Sequence, residues 1–249
     1  MRRETPAPRP APAAEARVRR GYFECRCGQL HVHYSIPPGG GFEEATALVC
    51  VHDLPGSGRV FARFLALAGL DRSVYAPDLP GFGESDPPTP AAAITDYSEA
   101  LGDFLDSMRL RHVDVLGQRA GALVATELAL ARPAQIRRVV LVSPPLLSES
   151  ERHSAAQLAA ALSDDALRPP DWQRRALHAA AQYALRERLA RVTQKVLVLR
   201  PRDELWEAAG RAREALPGTR LVECEAPGNE LFGAAAARSA EAVREFLRG

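Results

Sequence analysis

The pentapeptide Gly117-Gln118-Arg119-Ala120-Gly121 lies between an apolar stretch at 112–116 and a helix-forming run over 120–131. Glycines on either side of a central residue, at a strand-to-helix junction, make a sharp turn that holds the central side chain out of the sheet. In the G-x-S-x-G pattern that side chain is an attacking serine. Here it is Arg119. A guanidinium stays protonated and has no lone pair to offer a carbonyl, so the corner has the form of a nucleophile site without a nucleophile. Two roles remain for Arg119. One is anion recognition, since the free N–H groups and dipole of a helix start favour negative charge and a planar fork holds a carboxylate or phosphate in two parallel bonds. The other, which we favour, is pairing inside the protein, because an unpaired buried arginine is costly.

The surrounding pattern supplies the frame for such a corner. The short apolar runs 46–51, 73–76, 112–116, 139–142, 195–199 and 220–224 read as strands, and helical spacing falls between most of them, at 60–70, 94–110, 120–131, 206–216 and 235–247. Alternation of this kind predicts an α/β fold with a mostly parallel sheet covered by helices on both faces. Residues 21–27 and 30–35 read as an antiparallel pair ahead of it. Residues 147–192 break the rhythm with two or three helices, one of them over 172–191, and no strand. They predict a short helical cap inserted after the strand that ends at Val142, above the carboxyl edge of the sheet where open α/β folds place their sites.

The 249 residues suffice for one large α/β domain, and no long linker interrupts the chain after residue 45. We expect a Pro/Ala/Arg-rich tail over 1–19, too poor in apolar surface to order itself, and a single domain over 20–249 with the cap at about 147–192. A net charge of +1 gives no electrostatic reason to expect nucleic acid. No run approaches the roughly 18 apolar residues of a membrane span, and Arg2-Arg3 is followed by no apolar segment of an export signal. The expectation is a cytoplasmic protein with neither membrane nor nucleic acid as partner; a small-molecule ligand is possible, and oligomeric state is left open.

Cys25-x-Cys27 followed by His31-x-His33 invites a metal reading. With Gly28-Gln29 as a two-residue turn, Cys27 would pair with Leu30 and Cys25 with Val32. The thiols would then share a buried face with Leu30, Val32 and Tyr34, and the histidines would point the other way with Glu24 and Arg26. We therefore expect no metal and no cofactor.

With these elements in place, the chain resembles the α/β-hydrolase superfamily, nearest its bacterial C–C hydrolase and esterase members. The resemblance rests on His52-Asp53-Leu54-Pro55-Gly56-Ser57-Gly58-Arg59, on Asp78-Leu79-Pro80-Gly81-Phe82-Gly83-Glu84-Ser85, on the 117–121 turn and on Val142-Ser143-Pro144-Pro145. It covers about residues 20–249. It implies a catalytic acid at Asp203, which is kept, and a general-base histidine at a position occupied by Asn229. The oxyanion loop of the family is usually His-Gly followed by a donor; here it reads His52-Asp53-Leu54, with a carboxylate beside the place where negative charge would develop. The fold would bring Asp53 and Asp203 near Arg119, as candidate partners.

A serine mechanism needs a nucleophile, a base and oxyanion donors. The first two are missing at Arg119 and Asn229, and hydrolysis by the route of the family is not expected. Ser143 is a substitute hydroxyl with no histidine beside it except His52, which we read as shaping its loop. The ligand-facing positions would be His52, Asp53, Leu54, Gln118, Arg119 and Ser143. His153 and His178 are expected on exposed cap helices, and Leu158, Leu162, Leu177, Tyr183 and Leu189 in the core of the cap. Three functions stay open: a homologue without catalysis that binds a small molecule, anions among the candidates, or a protein; a lyase, isomerase or cyclase that polarises its substrate in the same pocket; and a hydrolase with relocated residues.

Overall fold

The computed structural model describes residues 15–40, 46–88, 93–161 and 170–249. Most of the expected tail, and Leu162 of the cap, lie outside these residues. Strands β1 (Val18–Cys25) and β2 (Gly28–Ser35) form a hairpin, followed by β3 (Ala47–Val51), β4 (Val74–Pro77), β5 (Val113–Gln118), β6 (Ile136–Val142), β7 (Lys195–Arg202) and β8 (Arg220–Pro227). They make one eight-stranded sheet in the order β1-β2-β4-β3-β5-β6-β7-β8. The β1–β2 and β2–β4 pairings are antiparallel, and the rest are parallel. β5 is buried at every position, as a parallel strand covered on both faces must be.

Helices α1 (Ala62–Ala68) and α9 (Ala236–Arg248) cover one face, where Phe61, Phe64 and Phe232 meet edge to face. The apolar stripe of α9, at Ala236, Ala240, Val243, Phe246 and Leu247, follows helical spacing onto that face. Helices α2 (Ile94–Ser107) and α3 (Ala120–Ala131) cover the other. The Asp96 carboxylate accepts the Ala93 N–H and closes the first turn of α2. Between β6 and β7 stand α4 (Glu149–Ala161), α5 (Asp171–Gln182) and α6 (Leu185–Leu189). Trp172 of α5 lies on Gly81 and edge-on to Phe82. The buried Glu127 of α3 takes two bonds from Arg188 of α6, at 2.6 and 2.5 Å, and one from the Tyr183 hydroxyl.

Several expectations need correction. The hairpin turns at Arg26-Cys27, with Cys25 opposite Gly28 and Phe23 opposite Leu30. Gly28 takes φ +110°, and Arg26 is drawn to Asp103 and Glu99 of α2. Cys27 is thus a turn residue, and both thiols are only half-buried. Val18 and Arg19 belong to β1, and the Ala16 N–H donates to Ala66, so order begins before residue 20. The helix expected over 172–191 breaks at Tyr183, whose backbone is extended where its hydroxyl reaches Glu127. The helix expected over 206–216 is two short pieces, α7 (Trp206–Gly210) and α8 (Ala212–Ala215), interrupted after Gly210, the poorest helix former in the run. Leu158 is not core but 67% exposed, whereas Leu189 is fully buried and Leu177 and Tyr183 are half-buried. His153 and His178 are exposed.

Asp114 of β5 has both carboxylate oxygens buried without a hydrogen bond, with Arg72 at 3.5 Å as its charge partner. Burial pushes its pKa up to about 6 against the pull of Arg72. A group with a raised folded pKa loses stabilising effect as pH rises. Between about pH 4 and pH 7, Asp114→Asn should therefore gain on the parent by on the order of 2 kcal/mol. Urea unfolding of both proteins at the two pH values measures the change, and a gap that stays constant refutes it.

Candidate active site

The 117–121 turn forms at the carboxyl end of β5. Arg119 sits at φ +52°, ψ −113°, a backbone conformation that side chains rarely adopt and that over-determined functional turns retain. Both flanking glycines are required by close approach. A Cβ on Gly117 would stand 2.3 Å from the carbonyl oxygen of Gly121, and one on Gly121 would stand 2.3 Å from that of Val51. The Arg119 N–H donates to the Val142 carbonyl at 2.8 Å, which pins the corner to the end of β6. The scaffold of the turn is intact, and only its central side chain is foreign to the G-x-S-x-G pattern.

That side chain is enclosed by carboxylates. Arg119 Nε lies 3.1 Å from Asp53 Oδ2, Nη1 lies 3.8 Å from Asp203 Oδ2, and Nη2 donates to Glu204. Burial works against its charge, but Glu204, Asp53 and Asp203 outweigh it and raise the pKa further above the arginine range. In return, the hydrogen bond from Arg119 lowers the pKa of Glu204. Asp53 and Asp203 were the partners anticipated from the sequence. Glu204 was not, although it follows Asp203 directly, because nothing local distinguishes it from a solvated surface carboxylate.

Asp53 does a second thing. Its Oδ1 accepts the Leu54 N–H at 2.8 Å and the Ala120 N–H at 3.0 Å. In a nucleophile elbow, the amide after the nucleophile and an amide from the loop after the third strand are the oxyanion donors. Both now face an internal carboxylate. Burial raises the Asp53 pKa, and the Ala120 amide, Arg119 and the Leu54 amide oppose that rise.

The remaining candidates assemble only in part. Ser143, at φ +46° and buried, donates its hydroxyl to Asp203 Oδ2 at 2.6 Å. Asp203 Oδ1 accepts the Leu205 N–H, so the acid position is occupied by a serine and an amide rather than by an imidazole. Gly228 packs against Asp203, where a Cβ would lie 2.4 Å from Oδ2. Asn229 follows it, exposed, and its side chain makes no hydrogen bond among the described residues. His52 is 0% exposed; its Nδ1 donates to the Asp53 carbonyl at 2.7 Å and its Nε2 accepts the Leu79 N–H at 2.9 Å. Burial lowers its pKa. With both nitrogens engaged, His52 shapes the loop and offers no base. Gln118 ends β5 and is buried.

Away from the turn, His31 and His33 lie on the face of β2 opposite Cys25, yet they are buried there with Asp78, all three offering ligand-type atoms within 4.8 Å of one another. His31 Nδ1 meets Asp78 Oδ2 at 2.9 Å, and the carboxylate also accepts the Gly58 and Glu84 amides. These bonds tie β2 to the 77–85 loop and leave the carboxylate satisfied within the fold. The thiols and the imidazoles do not converge.

Comparison with known proteins bears on the family and the fold. A family model described as the alpha/beta hydrolase fold matches residues 46–217. RutD of Pseudomonas syringae pv. syringae, which carries the name of a carbamate hydrolase, is 30% identical over 231 residues, covering 75% of this chain and 87% of that protein. Among solved structures, an esterase from Exiguobacterium antarcticum matches with a TM-score of 0.75 at 16% identity, over 92% of this chain and 99% of that one. The enol-lactonase from Burkholderia xenovorans LB400 matches with a TM-score of 0.72 at 20% identity, over 92% and 100%.

Proposed function

Since this chain belongs to the α/β-hydrolase fold family, we propose that it is a member without serine-hydrolase chemistry, a pseudoenzyme that uses the scaffold to bind a small molecule or a protein partner. One observation carries the reading: the side chain at the nucleophile position is a guanidinium held between Asp53, Asp203 and Glu204. It can neither attack a carbonyl nor be deprotonated. Asn229 at the base position supports the same conclusion, because an amide does not relay protons near neutral pH.

The geometry also weighs against the other readings. A lyase, isomerase or cyclase acting by polarisation would draw on preorganised donors, and the two amides best placed for that work already serve Asp53. A relocated triad built on Ser143 would need a base, and the partner of Ser143 is the Asp203 carboxylate. Capture of an external anion by Arg119 is disfavoured by its three internal carboxylates. No helix among the described residues is long and apolar enough to cross a membrane, and the free thiols of Cys25, Cys27, Cys50 and Cys224 suit the reducing cytoplasm expected from the sequence.

The purified protein is expected to show no turnover of chromogenic short-chain esters above buffer, and no labelling by a fluorophosphonate probe. Stoichiometric labelling, traced by peptide mapping to Ser143 or to any other serine of the site, would overturn the reading.

A further inference from the structure

Three donors from three places converge on one carboxylate. The Leu54 amide comes from the loop after β3, the Ala120 amide from the first turn of the twelve-residue α3, and Nε of Arg119 from the strained corner between β5 and α3. Two of them bond Oδ1 and the third meets Oδ2. A carboxylate has about four acceptor positions, so most of the binding capacity of Asp53 is used here. The group that fills this seat is a short side chain on the loop itself, one residue before one of the donors. We propose that Asp53 is a self-inhibiting ligand: its carboxylate occupies a receptor for a small carboxylate and closes the turn to any external oxyanion while it is seated. The inference rests on the reading of the turn as non-hydrolytic, and adds what the turn is built to hold.

The seat suits a monocarboxylate. Two amides on one oxygen and one guanidinium N–H on the other match the two oxygens of one carboxyl group. A tethered occupant also enjoys a high effective concentration, against which a free carboxylate in solution competes poorly. Asp203 and Glu204, on the far side of Arg119, repel a second anion that arrives while Asp53 stays in place. The parent protein is therefore closed, and removal of the Asp53 side chain opens the seat with all three donors still present.

Acetate is the probe. Asp53→Ala should be stabilised saturably by sodium acetate relative to sodium chloride at equal ionic strength, with its melting temperature rising by about 3–6 °C at acetate tenfold above its dissociation constant. The parent should show no such rise. Asp53→Asn should behave like the parent, since its amide oxygen still fills the position between the Leu54 and Ala120 amides. Adding Arg119→Gln to Asp53→Ala should weaken acetate by about tenfold or more, the loss of one charged contact. Asp53→Gly serves the same purpose should Asp53→Ala fold poorly by circular dichroism. No acetate-specific shift in a folded Asp53→Ala or Asp53→Gly variant, or an equal shift in Asp53→Asn, overturns the proposal. Either result leaves the missing esterase activity untouched, so failure here is distinct from failure of the functional reading.

Discussion

Restoring a serine and a histidine is expected to be insufficient for catalysis. The double variant Arg119→Ser, Asn229→His should remain near background toward short-chain esters, and adding Asp53→Gly should raise its turnover by about a hundred- to a thousandfold, the worth of a single oxyanion donor. The corner that would hold the serine is already in place, with Arg119 at φ +52° between two glycines that tolerate no Cβ. Asp203 stands at the position the resemblance gives to the acid, and Gly228 packs on it one residue before the position of the new histidine. What stays wrong in the double variant is the Asp53 carboxylate across the Leu54 and Ala120 amides. A tetrahedral intermediate would place its oxyanion beside a carboxylate rather than in a hole. Equal activity of the double and triple variants would show that Asp53 vacates the hole on its own, contrary to the geometry. The comparison is made as kcat/KM on one ester, because loss of transition-state stabilisation reads directly in that ratio.

The parts of this site that were legible in the sequence are those that local pattern encodes. Alternation of short apolar runs with helical spacing announced the parallel sheet, and two glycines around Arg119 announced the corner, since close packing at Gly117 and Gly121 leaves no alternative residue. Parity also survived an error. The hairpin register is displaced from the one expected, yet by an even number of residues, so Cys25 still shares the face of Leu30 and Val32 while His31 and His33 take the other. Long-range choices were not legible. The bond from Ala120 to Asp53 spans 67 positions and that from Arg119 to Glu204 spans 85. The sequence places an acidic residue beside the oxyanion loop, but which rotamer it adopts depends on donors brought close only by folding. The exposure of Leu158 has the same origin, because helical spacing names a stripe without saying whether anything covers it.

The internal pairing of Arg119 has a consequence for stability whose size depends on pH. Arg119→Met keeps much of the length of the side chain and removes its charge. Glu204, largely exposed, can turn to water; Asp203, at 7% side-chain exposure, cannot, and Asp53 is held by two amides. Burial already raises the Asp53 pKa, and Arg119 is one of the influences that hold it down. Without the cation, the Asp53 carboxyl keeps its proton more firmly in the folded chain than in the unfolded one. A folded state that binds more protons loses stability as pH rises through the carboxylate range. The variant should therefore match the parent closely near about pH 4 and fall below it by about 1–2 kcal/mol near pH 7, less than the cost of breaking a fully buried pair because Arg119 and Asp53 are partly exposed to screening water. Denaturant unfolding of parent and variant at both pH values measures this. A loss of equal size at the two pH values would assign the role of Arg119 to packing of its aliphatic stem rather than to neutralising Asp53 and Asp203.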